Sequence, residues 1–404
     1  MDPAFFRHEY GRLVAMLSRR VGVQHLQAVE DAVQSALVAA LEAWPDTGTP
    51  DNPSAWLFRA AHNHVVGELR GRARRKRLDR VHHETLELAQ SDAVATAGED
   101  ALDDMVRMLF VCCDASIPLE SQLAIALKTL CGFDVRAIAA HLFVSEANVY
   151  KRLERARLRL RKVSLDRNHW SAPRLASVQA VLYLLFTEGY LCADGEGPLR
   201  RELCDEAKRL CLVLAEHPVG ATTETFALAA LMHLHCARMP ARQDGAGGLL
   251  LLEEQDRSLW DQREIQLGLS WLARSAEGTV FSRYHAEAGI AAEHCLAPAF
   301  DQTRWERVVA CYALLERLAP SALHTLNRAV ALAEWRGPTE GLAVVEGLAP
   351  PSWLAGSYQW YAVLADLHLR CGHAELGQRY RKAALDAAPT LAVKHALQRR
   401  LDRY

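Results

Sequence analysis

The stretch Phe133–Lys162, FDVRAIAAHLFVSEANVYKRLERARLRLRK, decides how the first part of the chain reads. Ala137, Ile138 and Leu142 set one apolar face, and Phe143 and Val144 make a short turn. Ser145 is placed to N-cap the next helix, its hydroxyl accepting an orphan amide of the first turn. Val149, Leu153, Ala156 and Leu160 recur at helical spacing and predict the buried stripe. From Lys151 to Lys162 the segment carries seven basic residues against the single acid Glu154. Tyr150, Lys151, Glu154 and Arg155 fall off the apolar stripe, where a major groove can meet them. A solvated basic face on an ordinary helical hairpin is the alternative that this stretch alone leaves open.

A second basic cluster lies upstream. Arg70–Arg80, RGRARRKRLDR, also holds seven basic residues and one acid, and it follows an aromatic, amphipathic segment from Trp56 to Leu69. Cations that track a phosphate backbone beside aromatics that stack on bases suit single-stranded or melted DNA. A charged helix end in solvent is the plainer reading.

The 404 residues are enough for about two or three domains, each with its own core. Half the residues are hydrophobic and aromatics are few. Ala, Leu and Arg dominate without β-type alternation, which predicts an all-α protein. Net charge is only −2, and residues 1–167 carry 23 Lys and Arg against 22 Asp and Glu. The basic clusters are therefore local features, and binding to DNA should be weak without a partner. The N-terminus MDPAFFRHEYGRL lacks the order of a signal peptide, and no run of about 18 apolar residues occurs. The expectation is a cytoplasmic protein without membrane contact. Ten cysteines without CxxC pairs read as reduced, mostly buried thiols. His233, His235 and Cys236, with Cys204 and Cys211 upstream, meet no ligand spacing and read as structural, so no metal is expected. No Ser-His-Asp, paired-acid or phosphate-loop arrangement stands out either; neither enzyme activity nor a cofactor is expected.

Phe6, Tyr10, Leu13, Val14 and Leu17 mark a first amphipathic helix. Val29, Val33, Leu37, Leu41 and Trp44 mark the core face of a second, with Asp31, Gln34, Ser35 and Glu42 opposite. The segment Pro45–Pro53 is expected to break the helices and expose polar groups. These elements make a first domain over 1–84. An acidic linker follows over 85–104, then a second small domain with the helix-turn-helix over 105–167, then a long helical extension over 168–404. Within the extension, Tyr361, Leu364, Ala365, Gly377, Ala384 and Pro389 occupy positions of a tetratricopeptide unit. Asn327, Ala331 and Ala343 lie one 34-residue period earlier, and Tyr380 holds a displaced aromatic. Such a region presents a concave surface for a protein or peptide; irregular helix packing is the other reading.

The order of these parts resembles the extracytoplasmic-function sigma factors of the sigma-70 family. VEDAVQSALVAALEAW (Val29–Trp44) resembles the helix that docks on core RNA polymerase. NPSAWLFRAAHNHVVGELRGRARR (Asn52–Arg75) resembles the promoter-melting segment, and Ile117–Lys162 the domain that reads the −35 element. YLLFTEGY at 183–190, RRELCDEAKRL at 200–210, LLEEQDRSLWD at 251–261 and LNRAVALAE at 326–334 resemble a subgroup with a fused tetratricopeptide-like domain. The resemblance implies promoter-specific initiation with core polymerase and promoter DNA as partners. It also implies regulation through the fused domain, with a protein or peptide as its candidate partner.

The resemblance also assigns residues. Tyr150, Lys151, Glu154 and Arg155 would meet base edges at −35, with Ser145, Asn148 and Arg152 beside them. Arg152, Arg157 and Arg159 suit phosphates. Glu154 would either accept from cytosine or offset its basic neighbours. At −10, Asp51 and Asn52 would receive a flipped base, Asn63 would contact DNA, and Arg59, Arg70, Arg72, Arg74 and Arg75 would neutralise phosphates. Trp56 either stacks on the opened strand or, as favoured here, packs in the core. Asp31, Gln34, Ser35 and Glu42 would dock on polymerase, with Ser35 standing where the family has an acid. Asp92, Glu99, Asp100, Asp103 and Asp104 would thread polymerase channels or serve as a solvated spacer. Independently of the resemblance, Glu188, Asp194 and Glu196 read as an acidic regulatory turn, with a hydrophilic turn capping a helix as the more usual alternative. A free-standing helix-turn-helix regulator with a helical sensing domain is the competing function.

Overall fold

The computed structural model describes residues 3–79, 99–142, 144–161, 172–190, 201–244 and 248–403. Among them regular structure is helical, apart from one isolated bridge between Gln243 and Leu249. None of these helices is long and apolar enough to cross a membrane. The chain forms two compact units, residues 1–182 and 183–404.

The first unit contains α1 (Pro3–Val21), α2 (Leu26–Thr47), α3 (Pro53–Asp79), α4 (Glu99–Cys112), α5 (Leu119–Thr129), α6 (Val135–His141) and α7 (Glu146–Leu160). α8 (Ala172–Tyr190) carries the boundary within it, later than the 167/168 division expected from sequence. Tyr10, Leu13, Val14 and Leu17 of α1 meet Val29, Ala32, Val33, Ala36, Ala40 and Trp44 of α2, all buried. Leu57, Ala61 and Val65 close this core from α3. The spacing of three and four residues puts each set on one helical face. α2 departs from expectation at its end. Leu41 was placed with the core but is 51% exposed, because Ala40 and Trp44 take the inner positions. The helix also runs through Pro45 to Thr47, where Gly48 ends it at φ +81°. Proline is tolerable there because only one intrahelical bond of the last turn is lost.

α4 to α7 build around Val106, Leu109, Ile125, Leu127, Ile138, Val149, Leu153 and Ala156. α6 and α7 form the helix-turn-helix. Asp134 caps α6 by accepting from the Ala137 amide at 2.6 Å, and Ser145 caps α7 by accepting from the Asn148 amide at 3.3 Å. α4 starts at Glu99, so Glu99, Asp100, Asp103 and Asp104 belong to a helix and not to a linker. Asp104 is buried and faces Arg19 of α1 at 3.3 Å, while Asp103 pairs with Arg107 at 2.5 Å. Asp92 lies outside the described residues.

The two sequence domains of this unit touch directly. A Cβ placed on Gly11 of α1 would stand 2.2 Å from the Leu130 carbonyl oxygen, so only glycine permits this approach. Gly132, at φ +71°, lies under Tyr10 in the same seam. Gly11→Ala is expected to force the seam apart and destabilise the unit by about 1–3 kcal/mol. A lowered urea midpoint of the full-length protein would show this; an unchanged one would mean that the seam yields freely.

The second unit contains α9 (Arg201–Glu216), α10 (Thr223–Arg238), α11 (Gln262–Ser275), α12 (Arg283–Leu296), α13 (Trp305–Leu318), α14 (Ala322–Arg336) and α15 (Pro338–Glu346). The short α16 (Ser352–Ala355) precedes α17 (Tyr358–Arg370), α18 (Ala374–Asp386) and α19 (Leu391–Leu401). Consecutive helices pair, most closely α10 with α11, α14 with α15 and α17 with α18. Leu326, Leu342, Leu364 and Leu367 share one core cluster near the C-terminal end. Gly341 and Gly377 admit close crossings, since a Cβ on either would lie 2.6 Å from the facing helix. Tyr380 stacks on His368 at 5.5 Å.

Candidate nucleic-acid interface

On α7 the buried stripe fixes what remains outside. Ser145, Asn148, Tyr150, Lys151, Glu154 and Arg155 are all exposed, and Tyr150 keeps 59% of its surface in solvent. Arg152 is partly buried and reaches Glu120 of α5 at 3.3 Å, so it is partly committed within the domain. The exposed face thus offers two cations, one acid, an amide and a phenol to a groove.

Arg157 goes the other way. Its Nη2 donates at 2.5 Å to Glu30 Oε2 of α2, and the Thr129 hydroxyl of α5 donates at 2.7 Å to Glu30 Oε1. Glu30 is 1% exposed and Thr129 fully buried. Arg157 is therefore committed to Glu30 in this structure, since a buried carboxylate needs a paired cation. Tyr10 lies against this group; burial, then the Glu30 charge, push its phenol well above the usual value.

α2 turns its other side outward. Asp31, Gln34, Ser35 and Glu42 are exposed, with the Ser35 hydroxyl donating to the Asp31 carbonyl at 3.0 Å. Val38 and Leu41, 52% and 51% exposed, share this outer side. Two large apolar residues among polar ones, on one helix face, form a small surface suited to a protein partner.

On α3, Asp51 is exposed, and Asn52 accepts from the Ala55 amide at 3.0 Å, so its side chain caps the helix. Trp56 is half-buried, its ring edge-on to Trp44 at 5.6 Å, which is less burial than expected. Asn63 and Arg59 are exposed, as are Arg70, Arg72 and Arg74. Arg72 pairs with Glu68, and the Arg75 side chain is outside the described residues. Phe58 stacks on His62 at 5.9 Å and carries the Arg20 guanidinium at 4.8 Å. Burial, then the Arg20 charge, lower the His62 imidazole below its usual value. This aromatic and cationic cluster beside Asn63 was not read from sequence, since Arg20 comes from α1.

In the second unit, Glu188 sits within α8 and not on a turn. Asp194 and Glu196 lie outside the described residues. His233 Nδ1 meets Glu264 at 2.7 Å, and Lys208 donates to the same carboxylate at 2.9 Å. Burial raises the Glu264 carboxyl, but these two partners outweigh it and hold it down to about 2. Among the described residues no three His, Cys, Asp or Glu side chains converge as a metal site.

Comparison with known proteins bears on both units. Residues 5–75 match the sigma-70 region 2 family, the span of α1, α2 and most of α3 with their outward residues. The first unit carries a sigma-70 region 2 domain, which supports a place in the sigma-70 family. Residues 174–276 match a family of unknown function, DUF6596. An uncharacterized protein of Rhizobium meliloti (strain 1021), R00370, is 36% identical over 362 residues, covering 87% of this chain and 84% of that protein. The chain belongs to one family with it. No solved structure matches.

Proposed function

We propose that this protein directs promoter-specific initiation by core RNA polymerase, in the manner of the extracytoplasmic-function group. The observation that carries the reading is the coincidence of the region 2 match with an outward polar and apolar stripe on α2 and a cationic, aromatic surface on α3. α2 docks on polymerase through Asp31, Gln34, Ser35, Val38, Leu41 and Glu42. Asp51, Asn63 and the arginines of α3 meet the −10 element and the opened strand, while α7 reads −35. The tetratricopeptide-like extension regulates these steps.

Promoter binding requires the first unit to open. Elements about 25 base pairs apart, at about 3.4 Å each, stand roughly 80 Å apart. A compact unit of this size has a radius of gyration of about 16 Å. The contact through Glu30 therefore belongs to the unbound form, and it must break when α7 and α3 engage one promoter.

Base reading by α7 makes a direct prediction. Arg155→Ala is expected to cost about 1–3 kcal/mol of discrimination at one −35 position while sparing the others. Transcription from a promoter library changed at each −35 base checks this. A uniform loss at all positions would make Arg155 a phosphate contact only.

A further inference from the structure

Within the second unit, α8, α10, α12, α13, α14, α17 and α19 line two neighbouring chambers of about 360 Å³ each, which share Leu252, His294, Tyr312 and Asn327 as walls. Each volume is in the range of small-molecule sites, roughly 300–1,000 Å³. Phe186, Leu231 and Ile290 make one chamber apolar, and Phe300, Trp305 and Val308 the other.

The polar groups of the walls do not balance in charge. Glu253 is held by Arg403 at 2.6 Å and Glu287 by Arg283 at 2.8 Å. Glu334 is held by Arg370 at 2.6 Å and Asp366 by Arg400 at 3.0 Å. Every one of these carboxylates is neutralised. Arg238, which lines the first chamber, is 8% exposed and meets no carboxylate at ion-pair distance among the described residues. Among the described residues its side chain makes one hydrogen bond, a long one to Gln255 at 3.5 Å, and its guanidinium lies over the Trp260 ring at 5.3 Å. The Nε of Arg238 has no partner.

Its surroundings add positive charge. Arg257 lies over the same Trp260 ring at 4.5 Å and donates to the carbonyls of His294 and Ala297. Arg242 lies over Tyr190 at 3.9 Å and donates to its carbonyl at 2.5 Å. His235 and His294 both line the chamber with a buried, unpartnered Nδ1. Burial and then these arginines lower both imidazoles, His294 to about 3, so the histidines are neutral and the guanidiniums alone carry charge. A buried cation without a counter-ion is costly, and an anion in the cavity would remove that cost.

We propose that this cavity binds a small organic anion with a flat apolar body, its charge toward Arg238 and its body among the aromatic and aliphatic walls. The binding itself does not depend on the transcription reading. Its use as an input to a sigma factor does.

Equilibrium dialysis of the full-length protein against naphthoate and its uncharged counterpart naphthamide tests the proposal. Naphthoate should bind saturably, one per chain, at least tenfold tighter than naphthamide. Arg238→Gln should erase that preference and leave naphthamide binding unchanged. Asn327→Trp, which fills the shared wall, should abolish binding of both. Circular dichroism checks that each variant folds; if Arg238→Gln does not, the wild-type preference and Asn327→Trp decide. Equal binding of the two probes, no saturable binding of either, or naphthoate binding untouched by Asn327→Trp would overturn it.

Discussion

Glu30→Ala is expected to release α7 from α2. The Glu30 carboxylate joins α2 to Thr129 of α5 and Arg157 of α7. Removing one partner of a buried ion pair costs about 3–5 kcal/mol. The Arg157 side chain is 23% exposed, so water recovers part of its solvation and the cost lies near about 3 kcal/mol. Hydrogen exchange should show lost protection in α5 and α7, while the α1 and α2 core keeps its own. The same change should favour the open form, because the energy lost belongs to the closed form alone. A shift of about 3 kcal/mol changes that equilibrium roughly a hundredfold. Half-maximal transcription with core polymerase should then need less of the variant than of the parent. Adding Arg157→Ala should cost little more, since the pair acts as one unit. Unchanged protection in α5 and α7 would show that the seam is held by apolar packing, with the ion pair secondary.

Val38→Asp combined with Leu41→Asp carries the second large effect. Both side chains are about half exposed, so their loss leaves the α2 core of Val29, Val33, Ala36, Ala40 and Trp44 intact. Thermal unfolding should therefore move little. Binding to core polymerase should weaken by about 2–4 kcal/mol, roughly thirtyfold or more, because apolar residues buried at the centre of an interface dominate its energy. Competition against wild-type protein for a limiting amount of core enzyme measures this. Equal competition would place the polymerase contact elsewhere than on this face.

α7 was readable because its apolar residues repeat at helical spacing and leave one side polar. The same rule misplaced Leu41, since Ala40 and Trp44 compete for the inner side of α2 and periodicity cannot rank alanine against leucine there. Glu30 could not be found from local pattern at all. A glutamate beside Asp31 reads as solvated, and its partners are 99 and 127 residues away. Gly11 failed in the same way: nothing in its own helix announces the Leu130 carbonyl. Asp103 and Asp104 looked like linker acids until Arg107 and Arg19 were seen beside them. The carboxylates and arginines of the second unit are likewise joined across long separations, such as Arg400 to Glu253. Which cation remained unpaired at Arg238 could only be seen once those pairs were formed.

Transcription in vitro on fragmented genomic DNA, with purified core polymerase and full-length protein, tests the central claim most directly. Discrete start sites that share spaced −35 and −10 elements should appear only when both proteins are present. Site-specific binding to DNA by the protein alone, with no new start sites in the presence of polymerase, would contradict it and favour a free-standing regulator.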